Sequence, residues 1–197
     1  MDERVEPGKT EIGNVRRHIA RYNLALALCV DKNVLDLACG TGYGTDLISQ
    51  VSKSVTGVDI SRDAILKAES RYDPEINSNM EFKICEAVLY LKEWNPNLFD
   101  TMVCFETIEH LSVESFNVFV RNIGNKIKNG GHIIYSVPLD EEQGWNPHHK
   151  QVFTLETARE IFNLKFVDEF IQVGLNFYRM GENLPEGKRF YIGIRIV

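Results

Sequence analysis

The run Val34-Leu35-Asp36-Leu37 leading into Cys39-Gly40-Thr41-Gly42-Tyr43-Gly44 constrains this chain more than any other. A short β-rich segment stops abruptly in three alternate glycines, which let the backbone turn tightly and approach a ligand without Cβ interference. The helical pattern that follows, from Thr45 to about Val51, turns a positive dipole end toward the same loop. A strand, a glycine turn and a helix in that order imply a parallel crossover, and so an α/β architecture.

The same alternation recurs downstream. Glu11 to Cys29 reads as a helix with Ile12, Val15, Ile19, Tyr22 and Leu26 on one face. Apolar runs at Ser54–Val58, Glu81–Cys85, Phe99–Phe105 and His132–Val137 read as strands. Ser61 is placed to cap a helix through about Tyr72, ended by Pro74, and a second helix spans Val113 to Lys128 and stops at Gly130-Gly131. A polar loop to about Lys150 contains Trp145-Asn146-Pro147-His148-His149; a short helix (Leu155 to Phe162) and strands near Lys165–Ile171 and Arg189–Val197 follow. The strands are continuously apolar, as strands covered on both faces are, and the last two can form an antiparallel hairpin at one edge. The length of 197 residues and 44% hydrophobic content suit one domain, residues 1–197, with a sizeable core.

Charge and cysteine usage narrow the classes further. Twenty-two basic against twenty-eight acidic residues give −6, which argues against gripping long nucleic acid and leaves a small molecule or a short RNA end as partner. The basic cluster Arg16-Arg17-His18 with Arg21 falls at helical spacing and reads as a solvated face. No apolar run reaches ~18 residues, the threshold for a membrane span. The charged first residues lack a signal-peptide core. Cys29, Cys39, Cys85 and Cys104, with no C-x-x-C pair, read as buried free thiols of a cytoplasmic protein.

The glycine loop permits several nucleotide readings. Gly44-Thr45-Asp46 lacks the lysine of a triphosphate loop, and the third glycine comes one position early for a dinucleotide fingerprint. Asp59, nineteen residues past Gly40, ends the second strand where a carboxylate can take both ribose hydroxyls.

Val34 to Gly44, Gly57-Val58-Asp59-Ile60-Ser61, Cys85-Glu86-Ala87, Phe99 to Leu111 and Lys128-Asn129-Gly130-Gly131 together resemble, in order, the motifs of the class I S-adenosylmethionine-dependent methyltransferases. The resemblance spans about residues 30 to 140 and implies a Rossmann-like, mostly parallel seven-stranded sheet with a reversed C-terminal hairpin and helices on both faces. It implies S-adenosylmethionine as cofactor and S-adenosylhomocysteine as its product. By motif position, Asp36, Ala38, Gly40 and Gly42 would line the methionine end, beneath Tyr22. Asp59 would hold the ribose, Ile60 would pack on adenine, Glu86 with Ala87 would meet the adenine amino group, and Phe105 would supply backbone contacts. Ala38 stands where glycine is commoner, and Cys85-Glu86-Ala87 where Gly-Asp-Ala is usual. Residues 1–30 would cover the cofactor cleft, and residues 138–153 would form the substrate-side loop.

A sulfonium methyl is already activated, so such an enzyme aligns a nucleophile and excludes water, adding a base where the acceptor is a hydroxyl. The signature tetrads of base-modifying DNA methyltransferases are missing after the fourth strand. Instead His110, in Glu106-x-x-Glu109-His110, and His149 are the candidate catalytic residues. Together with the His18-x-x-Arg21-Tyr22 pattern, they resemble small methyltransferases of polysaccharide and natural-product pathways. The expected acceptor is a sugar, a nucleotide-sugar or another metabolite oxygen or nitrogen, with no metal required. The alternatives are a divalent metal on Glu106, Glu109, His110 and His149, similar to small-RNA 3′-terminal 2′-O-methyltransferases, and an inactive partner protein of the same fold.

Overall fold

The computed structural model describes residues 6–73, 76–93, 98–142, 144 and 146–197; Pro74 and Trp145, singled out above, lie outside the described residues. Helix α1 (Ile12–Ala25), extended by a 3-10 turn over Leu26–Leu28, leads into β1 (Asn33–Leu37). There follow α2 (Tyr43–Ser49), β2 (Ser54–Asp59), α3 (Arg62–Arg71), β3 (Met80–Ile84), α4 (Ala87–Lys92) and β4 (Phe99–Phe105). After a 3-10 turn at Ile108–His110 come α5 (Val113–Asn122), β5 (Ile127–Pro138), α6 (Leu155–Arg159), β6 (Lys165–Val173), β7 (Asn176–Tyr178) and β8 (Arg189–Ile196).

Among the described residues, all strands join one sheet in the order β3-β2-β1-β4-β5-β8-β6-β7. Strands β1 to β5 pair in parallel, and β8 runs antiparallel between β5 and β6. The order reverses beside β1, so the carboxyl ends of β1 and β4 flank a crevice, the position where open α/β sheets bind ligands. The expected Rossmann-like architecture with a reversed C-terminal hairpin is present. The sheet has eight strands rather than seven, because Asn176–Tyr178 folds back on β6 as a short edge.

Alternate residues of the central strands feed two cores. Leu35, Leu37, Met102, Cys104, Ile133 and Tyr135 pack beneath α4 and α5 with Leu91 and Phe119. Val34, Val103, Phe105 and Ile134 face the other way, onto Tyr22, Ala25 and Ile48 of α1 and α2. Burial on both faces accounts for the unbroken apolar runs. Cys29, Cys39 and Cys104 are buried and Cys85 half-buried, all as free thiols.

Three local expectations are corrected. The helix from Val113 ends at Asn122, with a 3-10 turn to Asn125, instead of reaching Lys128. Ile127 already pairs with Phe99, and a register shift absorbs Gly130, whose φ of +82° suits glycine. Helix α4, unanticipated as a helix, is started by Glu86, whose carboxylate accepts from the backbone N–H of Val88 (3.0 Å) and Leu89 (2.9 Å). Ser61 caps α3 as expected, accepting from Ala64 N–H.

The third correction concerns α1. Ile12 is exposed, and Arg21, read above as part of a solvated face, is fully buried. Its Nε donates to Gln172 Oε1 at 2.7 Å, its Nη1 lies 2.9 Å from Glu106 Oε1, and its guanidinium lies over the Phe190 ring at 4.4 Å. A buried guanidinium is held only when paired, and these partners on β6, just after β4 and on β8 fasten α1 across the crevice mouth.

Candidate active site

A cleft of about 1510 Å³ opens at the carboxyl ends of β1, β2, β4 and β5. Single-ligand pockets run to roughly 300–1,000 Å³, so this one has room for two. Around it three non-glycine residues adopt positive φ: Ala38 (+65°) after β1, Glu106 (+50°) after β4 and Asp140 (+56°) after β5. Such strain persists where the surroundings over-determine the backbone, and it clusters at functional sites.

The first compartment is built on the glycine loop. A Cβ on Gly40 would meet nothing within 4 Å, so its Cα faces open cleft, and its N–H donates to Asp59 Oδ2 at 2.9 Å. Asp59 Oδ1 accepts from Ser61 N–H at 2.8 Å, so both carboxylate oxygens are oriented by backbone donors. Ala38, Gly40, Asp59, Ile60, Glu86, Ala87, Phe105 and Tyr22 all line the cleft. Ile60 is 66% exposed on its rim, an apolar plate without a partner surface. Gly42 instead turns its Cα toward Phe82 and Ala68, where a Cβ would lie 2.7–2.9 Å from their side chains.

Asp36 stands behind this wall, buried under Tyr22. Thr45 Oγ1 donates to its Oδ2 at 2.7 Å, and the Tyr22 hydroxyl donates to Oδ1 at 3.1 Å. Burial pushes the Asp36 carboxyl up to about 7, with the Thr45 and Tyr22 hydrogen bonds opposing the rise and the Asp59 charge adding to it. A carboxyl raised on folding holds its proton more tightly in the folded chain, so stability falls as pH climbs from its ordinary value of 3.8 through about 7. Asp36→Asn, which does not ionise, is expected to narrow the stability difference between pH 5 and pH 8 by about 2–3 kcal/mol, at ~1.4 kcal/mol per pH unit. Urea unfolding of both proteins at the two pH values measures this; equal pH slopes would contradict it.

The second compartment carries the acceptor-side candidates. His110, on the turn after β4, and His149, on the loop after β5, come together edge to face with ring centroids 4.9 Å apart. The carbonyl oxygen of His148 lies 3.2 Å from His110 Nδ1, and Glu141 Oε2 contacts His149 Nδ1. Both partners accept, so each Nδ1 donates, and in the neutral ring Nε2 then carries the lone pair. Glu109 is wholly buried beside them, and its carboxyl is held well above the usual carboxylate range by burial and by the Glu106 charge. Its backbone carbonyl accepts from Lys150 and Gln151 N–H, pinning the loop that carries His149. Glu106 is turned away, its Oε1 taken by Arg21 and the Ser136 hydroxyl.

Arg21 and the neutral His18 also line this cleft, although the basic run that holds them reads as a solvated face. His18 is driven down to about 2 by burial and the nearby Arg21 and Arg17 charges, and its Nδ1 lies 3.1 Å from the Tyr43 hydroxyl. One signal was available: Arg21 lies four residues before the buried Ala25, on the same helical face.

With this geometry in view, comparisons with known proteins are informative. Residues 29–170 match the family described as "Methyltransferase domain". A probable S-adenosylmethionine-dependent methyltransferase of Mycobacterium tuberculosis is 33% identical over 124 residues, 62% of this chain and 42% of that protein. A ubiquinone biosynthesis O-methyltransferase of Idiomarina loihiensis is 29% identical over 58% of this chain and 45% of its own length. The matches thus span less than half of these relatives. Among solved structures, the N-methyltransferase NodS of Bradyrhizobium japonicum WM9, in complex with S-adenosyl-L-homocysteine, superposes with a TM-score of 0.73 at 18% identity, covering 98% of this chain and 93% of that one. A 1,6-didemethyltoxoflavin-N1-methyltransferase of Burkholderia thailandensis gives 0.69 at 17% identity over 92% and 77%. The family match over most of the chain, on a sheet that carries the glycine loop and Asp59 at its switch point, decides the matter: the chain belongs to the class I S-adenosylmethionine-dependent methyltransferases.

Proposed function

We infer that this chain transfers the methyl group of S-adenosylmethionine to a small-molecule acceptor: a sugar, a nucleotide-sugar or another metabolite bearing a reactive oxygen or nitrogen. The observation that carries this reading is one cleft lined both by the glycine loop with Asp59 and by Glu109, His110 and His149. When bound, the cofactor supplies an activated methyl on sulfur. Asp59, already oriented by Gly40 and Ser61, accepts from the ribose hydroxyls; Ile60 covers the adenine; Glu86 and Ala87 stand at the purine edge. Gly40 and Ala38 leave room for the methionine end, with Tyr22 and Phe105 forming its wall. Asp36 and Gly42 act from behind, holding Tyr22 and the loop bend.

On the acceptor side, His149 or His110 presents an imidazole lone pair that takes the proton of an acceptor hydroxyl, while residues 138–153 and α1 exclude water. Two neighbours in structure are complexes with S-adenosylhomocysteine, one of them also holding 1,6-didemethyltoxoflavin, which supports the two-ligand reading of the cleft. Four free thiols agree with a reducing cytoplasm. The test is formation of S-adenosylhomocysteine from S-adenosylmethionine with a panel of sugars, nucleotide-sugars, phenols and amines. Acceptor-dependent turnover is expected, and His149→Ala should lower it by roughly 10²–10⁴ for a hydroxyl acceptor. Turnover with none of the panel, or a variant as fast as the parent, would contradict the reading.

A further inference from the structure

We propose that the acceptor carries a phosphate or diphosphate group, bound in the cleft by the side chains of Arg17 and Lys150. The inference rests on the methyl-transfer reading and narrows its acceptor to an anion.

The chain is acidic overall, with a net charge of −6, yet cations are left unmatched in its cleft. Arg17 lies on α1 and Lys150 on the loop after β5, and both line the cleft; Arg16, beside Arg17 in the same basic run, does not. Among the described residues, neither Arg17 nor Lys150 pairs with a carboxylate, and the Arg17 guanidinium donates to the Asn14 side-chain oxygen. The other cations are matched. Arg21 lies 2.9 Å from Glu106, Lys188 Nζ 2.7 Å from Glu141, and Lys9 Nζ 2.9 Å from Glu6. Glu109 is fully buried with both carboxylate oxygens unbonded, and shows no surface to a ligand. The amino-acid end of the cofactor is a zwitterion and adds no net charge. What remains suits the ~1.5–2 negative charges of a phosphate, where a single carboxylate would offset only one cation.

The fold holds both residues in place. Gln172 on β6 donates from Nε2 to the Arg17 carbonyl at 3.0 Å and accepts Arg21 Nε at 2.7 Å, which fixes this turn of α1. Arg17 and Arg21 stand four residues apart, on one face of the helix. Arg21 is fully buried and its Nη2 has no hydrogen-bond partner. Burial, then the charges of Arg21 and Arg17, hold the intervening His18 down to about 2, so both guanidiniums act on one region. On the loop after β5, Lys150 N–H donates to the Glu109 carbonyl at 2.8 Å and fixes the backbone there. A planar guanidinium and an ammonium are the two side chains that bind phosphate oxygens most strongly.

Inorganic pyrophosphate is the probe. The full chain, saturated with S-adenosylhomocysteine, is titrated calorimetrically at fixed ionic strength with pyrophosphate and, in parallel, with malonate, a small dicarboxylate. One saturable pyrophosphate site is expected, with affinity lowered about tenfold or more in Arg17→Ala and in Lys150→Ala. It should be unchanged in Lys165→Ala, which alters an exposed lysine outside the cleft. Lys150 is exposed on a loop, so its variant keeps the test open if Arg17→Ala does not fold. No saturable heat at millimolar pyrophosphate, parental affinity in both variants, or malonate bound as tightly would overturn the proposal. So would an Arg17→Ala variant that loses affinity for S-adenosylhomocysteine alone, which would make Arg17 a cofactor residue. Each titration begins from the cofactor-saturated chain, so failure of the methyl-transfer reading is seen first and separately, as failure to bind S-adenosylhomocysteine.

Discussion

Asp59→Ala is expected to weaken S-adenosylhomocysteine binding by ~30- to ~150-fold, about 2–3 kcal/mol, the scale of a lost pair of charge-assisted hydrogen bonds. The carboxylate does two jobs at the end of β2. Its oxygens accept from Gly40 and Ser61 N–H, and so set the spacing between the glycine loop and the start of α3. The remaining lone pairs face the cleft that Asp59 lines. Alanine removes the ribose acceptor and frees the loop at once, so binding enthalpy and affinity should both fall. Calorimetric titration measures the change, and undiminished affinity would remove Asp59 from the cofactor site.

Gly44→Ala should be the most damaging single methyl added to the crevice. An alanine Cβ there would lie 1.9 Å from Tyr22 Cζ and 2.3 Å from two further ring carbons. Tyr22 is poorly placed to yield: its hydroxyl is bound to Asp36, and its ring packs edge-on against both Tyr43 and Phe105. Overpacking of this kind costs typically ~1–3 kcal/mol, sometimes more. At ~2–4 °C per kcal/mol for a chain of this size, the expected loss in Tm is about 2–12 °C. Adding Tyr22→Ala should return part of that loss, a coupling that separates a clash with this ring from a general effect on α2. An unchanged Tm in Gly44→Ala would contradict the packing.

The sheet was legible because strand, turn and helix signals repeated in phase, and Ser61 and Asp59 stood where the pattern placed them. What the sequence concealed follows from tertiary pairing. Arg21 sits in a basic run that periodicity assigns to solvent, and only its distant partners, Gln172, Ser136 and Glu106, make burial tolerable. Helix α4 is six residues long, too short for a periodic signal, and is nucleated by the Glu86 cap. The end of α5 was missed because Ile127 and Gly130 enter the sheet through a register shift, which a glycine pair cannot distinguish from a helix stop. In the site, motif order brought out Asp59, Gly40, Ile60, His110 and His149. The isolation of the Glu109 carboxylate depends on what does not surround it, and no local pattern encodes that.

The central claim is that the cleft beside Gly40 and Asp59 binds the cofactor. Calorimetric titration of the purified chain with S-adenosylhomocysteine in EDTA addresses it most directly. Saturation at one molecule per chain with micromolar affinity, lost in Asp59→Ala, is the predicted result. Heats indistinguishable from dilution in a chain that remains folded would contradict it.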